Sequence, residues 1–297
     1  MVQCARISQL RTEISDLAND PSLFTWYELQ TTDMAAAATF YRDALGWSPV
    51  PSSTSRMPYT LFMAGEAAAA GLLEWPVENV RRGARPRWMG YVGVSDVHAA
   101  ADRIKRLGGS IYVPPTQANI GHISVVADPS AATFGLIGQQ QVTVQQATDS
   151  SKPGRFGWNE LYALDLQKEV AFYHELFGWQ RNDTEHTFAE AYVTLSAGGK
   201  AIAGAFTSDE DPPPFWLRYI NVDDLDAAVE RVKKAGGQAA RNDDLQLPGG
   251  LSIAHCIDPQ GAGFAIQGGK AHAPKVGWTT EWQGFSSRGQ VMAPKKK

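Results

Sequence analysis

The chain has 297 residues, of which 43% are hydrophobic, and carries 27 basic against 31 acidic side chains for a formal charge of -4. That length allows two domains of ordinary size, and the near balance of charge excludes the strong basic field that nucleic acid selects. Cys4 and Cys256 match no Cys-x-x-Cys spacing, which argues against a disulfide framework or a structural zinc. With no leader-like apolar region and no run near the roughly 18 apolar residues of a membrane span, a cytoplasmic chain without membrane or nucleic-acid partners is expected.

In chain order, Ile7, Leu10, Ile14 and Leu17 form a helical apolar stripe, so 1–21 reads as a helical extension that packs on a domain or on a second copy in a homodimer. Phe24 to Gln30 reads as a strand. Asp33 is a helix N-cap, Met34 to Leu45 an Ala-rich helix, and Gly46 its stop. Trp47 opens a return strand, Met57 to Met63 and Ala70 to Trp75 are short strands, and Trp88 to Val94 with Asp96 to Leu107 and Gly108-Gly109 repeat the strand-helix-stop unit. Gln139 to Arg155, rich in Gln, Thr, Ser and Asp with Pro153-Gly154, reads as a polar linker with little to bury. The same order follows: strands Phe156 to Ala163, Tyr192 to Ser196, Ala201 to Phe206 and Phe215 to Val222, and helices Asp165 to Phe177 and Asp224 to Ala235. The divisions are 1–21, 22–140, 141–155, 156–269 and 270–297. The last segment carries Trp278 and Trp282 among Gly, Ser and Lys.

This order reflects an internal repeat. Phe40-Tyr41-Arg42-Asp43-Ala44-Leu45-Gly46-Trp47 returns 132 residues later as Phe172-Tyr173-His174-Glu175-Leu176-Phe177-Gly178-Trp179. The same step maps Trp26-Tyr27-Glu28-Leu29 onto Trp158-Asn159-Glu160-Leu161. At a step of 128, Tyr91 to Val97 maps onto Tyr219 to Leu225, and Gly108-Gly109 onto Gly236-Gly237. Ala127-Asp128-Pro129 answers Ile257-Asp258-Pro259 before the strand-like Thr133 to Ile137 and Gly263 to Gln267.

A strand, an Asp, a helix with Phe-Tyr inside and Leu-Gly-Trp or Phe-Gly-Trp at its end, then Val-Asp-Asp, Gly-Gly and Asp-Pro, resembles the vicinal oxygen chelate superfamily of glyoxalases, bleomycin-resistance proteins and extradiol dioxygenases. The resemblance covers about 22–140 and 155–268. It implies an α+β fold of tandem glyoxalase-like domains, each made of two βαβββ units that curve a mixed sheet into a cup. In metal-dependent members it implies His, Gln or Glu donors on inward strand faces. The corresponding positions here are Trp26 and Met89 with Gly135, and Trp158 and Leu217 with Ala265. None of these side chains can ligate a divalent ion, which needs several imidazole or carboxylate donors at one point. Neither a metal nor another cofactor is expected.

Glu28 and Glu160 stand two residues after Trp26 and Trp158, so each carboxyl shares its strand face with a Trp. Such a carboxyl can act as a general acid or base with a raised pKa, or it can hold neighbouring backbone and Tyr groups in place. Tyr91 and Tyr219 share the face of Met89 and Leu217 and suit a small oxygenated ligand or the core equally. His122 and His255 precede their Asp-Pro turns at unlike distances and read as surface or packing residues, and His98 and His174 fall on helices. Phe40-Tyr41 and Phe172-Tyr173 read as packing against the sheet. The functional expectation is metal-independent binding of a small molecule by Trp26, Met89, Tyr91, Trp158, Leu217 and Tyr219. The alternatives are lyase, isomerase or cyclase chemistry through Glu28 or Glu160, and metal-dependent glyoxalase or dioxygenase activity.

Overall fold

A computed structural model describes residues 22–52, 58–138, 150–182, 192–207, 213–247 and 251–269. The first half runs β1 (Phe24–Thr31), α1 (Met34–Leu45), β2 (Ser48–Pro51), β3 (Tyr59–Ala64), β4 (Ala67–Glu74), the short α2 (Val77–Arg81), β5 (Arg87–Gly93), α3 (Val97–Arg106), β6 (Ser110–Ala118), β7 (Gly121–Ala127) and β8 (Thr133–Gly138). The second half runs β9 (Phe156–Ala163), α4 (Leu166–Phe177), β10 (Gln180–Asn182), β11 (Val193–Ala197), β12 (Lys200–Thr207), β13 (Phe215–Asn221), α5 (Leu225–Lys234), β14 (Gln238–Leu247), β15 (Leu251–Ile257) and β16 (Gly263–Gly268). Each half is therefore βαβββ twice, and each builds one eight-stranded mixed sheet, β2-β3-β4-β1-β5-β8-β7-β6 and β10-β11-β12-β9-β13-β16-β15-β14.

The four long helices start alike, because an extended Asp accepts the first free amide from its own side chain. Asp33 takes Ala36 N–H at 2.9 Å, Asp96 takes Ala99 at 3.0 Å, Asp165 takes Lys168 at 3.2 Å and Asp224 takes Ala227 at 3.0 Å. Gly46 and Gly178 end α1 and α4 at φ +73°, a left-handed cap that glycine adopts without a Cβ penalty. The helical extension read over 1–21 and the segment from residue 270 lie outside the described residues.

The helices of the two halves meet between the sheets. One apolar cluster joins β1, α1 and β4 of the first half to α5, β15 and β16 of the second, through residues such as Leu29, Phe40, Trp47, Val229, Val232 and Phe264. Its counterpart joins β5, α3 and β8 to β9, α4 and β12, through Val92, Ile104, Phe134, Leu161, Tyr173 and Trp179. Each core is thus shared across the halves, and the concave faces point away from it with separate clusters of their own.

Paired bonds tie this contact together with approximate two-fold symmetry. Tyr41 donates to Asp258 Oδ2 at 3.2 Å, and Tyr173 donates to Asp128 Oδ2 at 3.1 Å. Trp88 and Trp216 donate to the same two hydroxyls at 2.8 and 2.9 Å. Oδ1 of each Asp accepts amides of its own turn, Ser130 and Ala132 or Gln260 and Ala262. The Asp of the Asp-Pro repeat therefore shapes its turn and receives the other half's helix, and the repeated Tyr of Phe-Tyr is an interdomain donor as well as core.

The C-terminal end of the polar linker is tied to both halves. Gly154 N–H donates to Asn221 O, Trp47 Nε1 donates to Gly154 O at 3.1 Å, and Arg155 Nη1 and Nη2 donate to the carbonyls of Ala67 and Ala64 at 3.0 and 2.7 Å. Composition showed a polar segment, and backbone carbonyls of both halves together with the Trp47 indole give those polar groups partners.

Candidate functional site

The strand register gathers the six ligand-binding candidates and both glutamates on the concave faces. Across β1 and β5, Trp26 lies opposite Tyr91 and Glu28 opposite Met89, and across β5 and β8, Tyr91 lies opposite Gly135. In the second half Trp158 lies opposite Tyr219, Glu160 opposite Leu217, and Tyr219 opposite Ala265. With a side-chain period of two, opposite partners share a face, so each cup receives one Trp, one Glu, one Tyr and one apolar residue. All eight are buried.

Glu28 is the hub of the first cup. Tyr59 donates to its Oε1 at 2.7 Å, Tyr91 donates to its Oε2 at 2.6 Å, and Trp26 Nε1 donates to the Tyr59 hydroxyl at 3.1 Å. In the second cup Tyr192 donates to Glu160 Oε1 at 3.0 Å and Tyr219 makes a short bond to Oε2. Tyr59 and Tyr192 were missed by sequence reasoning. They stand 133 residues apart at the start of strands already assigned, and each ring lies over a glycine, Gly71 or Gly204, where a Cβ would come within 1.8 or 1.9 Å of the hydroxyl. The repeated pair of Tyr and downstream Gly was the available signal.

Burial among aromatic rings raises both carboxyls, because an ion loses hydration there. The tyrosine donors oppose the shift without cancelling it, and Glu160 is raised to about 7 while Glu28 is raised from its usual range. Burial and the adjacent carboxyl together drive Tyr59, Tyr91, Tyr192 and Tyr219 well above 10, so all four stay protonated as donors.

A divalent ion does not fit the residues at the metal-donor positions. Trp26, Met89, Trp158 and Leu217 fill four of them with buried apolar side chains. At the fifth, a Cβ built on Gly135 would come within 2.1 Å of the Tyr91 ring, so the space of a carboxylate belongs to that ring. Among the described residues there is no group of three or more His, Cys, Asp or Glu able to hold an ion. His255 is buried with its ring 6.5 Å from Tyr219, whereas His98 on α3 and His122 on β7 have rings 5.0 Å apart.

The model of the Glyoxalase/Bleomycin resistance protein/Dioxygenase superfamily matches residues 23–136 and again 155–266. The Mycobacterium tuberculosis protein named "Putative glyoxylase CFP32" is 31% identical over 81% of this chain and 92% of its own length. Anthracycline biosynthesis protein DauV of a Streptomyces species is 28% identical over 83% of this chain and 93% of its own. Among solved structures, 2,2',3-trihydroxybiphenyl 1,2-dioxygenase of Sphingomonas wittichii superposes with a TM-score of 0.61 at 14% identity, covering 89% of this chain and 100% of that one. The Mn(II)-bound glyoxalase of Novosphingobium aromaticivorans gives 0.58 at 15% identity over 84% and 82%. Matched twice along its length and carrying two sheets of two βαβββ modules each, the chain belongs to the Glyoxalase/Bleomycin resistance protein/Dioxygenase superfamily.

Proposed function

We propose that the chain binds a small, flat, oxygen-bearing molecule in its aromatic cups without using a metal. The observation that carries this reading is the exchange of donor positions for a Trp, Tyr and Glu cluster in each half, with the Tyr91 ring standing over Gly135. Aromatic rings supply apolar contact, and hydroxyl and carboxyl groups that can donate or accept fix the orientation of carbonyl or phenol oxygens. The relative named for anthracycline biosynthesis is consistent with a polycyclic aromatic ligand. Calorimetric titration with doxorubicin tests this. Saturable micromolar binding that survives prior dialysis against EDTA is expected; no binding, or binding that EDTA abolishes and a transition metal restores, overturns it.

A second reading follows from Glu160. A carboxyl held at about 7 exchanges its proton readily near neutrality, which suits general acid or base work in lyase, isomerase or cyclase chemistry. Deuterium uptake at the enolisable carbon beside the side-chain ketone of bound doxorubicin, followed by NMR, separates the two readings. Uptake that Glu160→Gln abolishes makes the cup catalytic, and uptake at the uncatalysed rate leaves it a binding site.

A further inference from the structure

A recess bordered on one side by Trp26 of the first cup lies where the beginnings of β1 and β9 approach each other. Its volume is about 370 Å³, and its walls come almost equally from the two halves: Phe24, Tyr27 and Ala69 on one side, Arg155, Asn159 and Lys200 among others on the opposite side. Phe156 stacks on Tyr27 with ring centroids 3.9 Å apart, which gives the cleft a flat aromatic element. Among the described residues no carboxylate lines it.

Beneath that lining sits Arg218, 1% exposed on β13. Its Nη1 donates to Asn159 Oδ1 at 2.9 Å, and its guanidinium carbon lies 4.3 Å from the Phe24 ring centre. Both residues line the cleft. Among the described residues, Nε and Nη2 of Arg218 have no hydrogen-bond partner and no carboxylate pairs with the guanidinium. Burial lowers its pKa to about 10, which leaves it charged at neutral pH. Arg155 adds a second guanidinium whose Nη atoms meet carbonyls and whose buried Nε has no partner among the described residues, and Lys200 adds an exposed ammonium.

The repeat shows that this charge is particular to one half. Arg218 answers Gly90 at the step of 128, and a Cβ on Gly90 would come within 2.6 Å of the Arg218 guanidinium carbon. The first sheet thus gives up a side chain to admit an arginine from the second. Rings over the guanidinium offset part of its lost hydration, but a buried cation without an anion remains costly. Stabilisation would come from an anion bound nearby.

We propose that this interdomain cleft binds a small aromatic carboxylate, its ring against Phe24 and Phe156 and its charge toward Arg155, Lys200 and the underlying Arg218. Of the cup residues only Trp26 borders this cleft, and both glutamates lie outside it, so the site stands whether or not the cups take an aromatic ligand. The probe is 4-fluorobenzoate, observed by ¹⁹F NMR with the full chain, with 4-fluorobenzyl alcohol as the uncharged counterpart. Saturable binding of the benzoate and at least tenfold weaker binding of the alcohol are expected. Lys200→Gln, at an exposed position, should weaken the benzoate several-fold, and Arg218→Met about tenfold or more; if Arg218→Met does not fold, Lys200→Gln alone decides. No saturable binding, equal binding of the alcohol, unchanged affinity in Lys200→Gln, or loss only on Glu160→Gln overturns the site.

Discussion

Glu160→Gln is expected to flatten the pH dependence of stability and to make the protein more stable than the parent at pH 8. The Glu160 carboxyl titrates at about 7 in the folded chain against 4.5 as its ordinary value. Between those two pH values the folded state holds more protons than the unfolded state, so stability falls as pH rises. The favourable contribution is complete below about 4.5 and gone above about 7. A shift of that size corresponds to about 3 kcal/mol. Asp128, raised to about 6 chiefly by burial, acts with the same sign, as do Glu28, Asp258 and Glu169, all raised chiefly by burial. Parent and variant therefore both lose stability toward pH 8, and the difference between their slopes isolates Glu160. Gln keeps the shape and an acceptor oxygen while removing the charge, and the Tyr192 and Tyr219 hydroxyls can rotate to meet it. Urea unfolding followed by circular dichroism at pH 5 and pH 8 measures the effect. Equal slopes would place the Glu160 titration near that of an exposed carboxyl and remove the basis for proton transfer in the second cup.

Much of the fold was legible because the repeat spells it out in local chemistry. Asp33, Asp96, Asp165 and Asp224 each cap a helix, and Gly46 and Gly178 end two of them, so these boundaries could be read within a residue or two. Strands β6, β7, β14 and β15 were not assigned. Ser110 to Ala118 contains Pro114-Pro115 and is mostly exposed at the sheet edge, so it lacks the alternation that marks a half-buried strand. The short α2 escaped as well, since none of its residues is buried. For the cups, strand periodicity placed Trp26, Glu28 and Trp158, Glu160 on shared faces, but Tyr59 reaches its carboxyl from β3 and Tyr192 from the residue before β11, and contacts between distant strands leave no local mark. Arg218 was invisible for the same reason. Its role depends on Gly90 and on the way the two sheets pack, and a lone Arg in a strand carries no sign of burial.

The other large effect concerns Gly135, at the position where the family resemblance implies a carboxylate donor. Gly135→Ala should destabilise the protein by about 3 kcal/mol, the upper range for overpacking a close-packed site. The added methyl would lie 2.1, 2.4 and 2.6 Å from Cδ1, Cε1 and Cγ of Tyr91. That ring is 1% exposed and its hydroxyl is held by Glu28, so it cannot step aside without leaving the carboxyl short of a donor. Ala265 occupies the matching position of the second cup and is fully buried, so Tyr219 there already accommodates a methyl. Ala265→Gly should therefore cost only about 1 to 2 kcal/mol, for the lost methyl burial and the added freedom of a strand glycine. Urea midpoints of the two variants decide the order. In the double variant Gly135→Ala with Tyr91→Leu, a flexible aliphatic side chain replaces the rigid ring, and the combined cost should fall well below the sum of the single ones. Additive costs, or a Gly135→Ala no more damaging than Ala265→Gly, would mean that the ring does not own this space and would reopen the first cup to a ligating side chain.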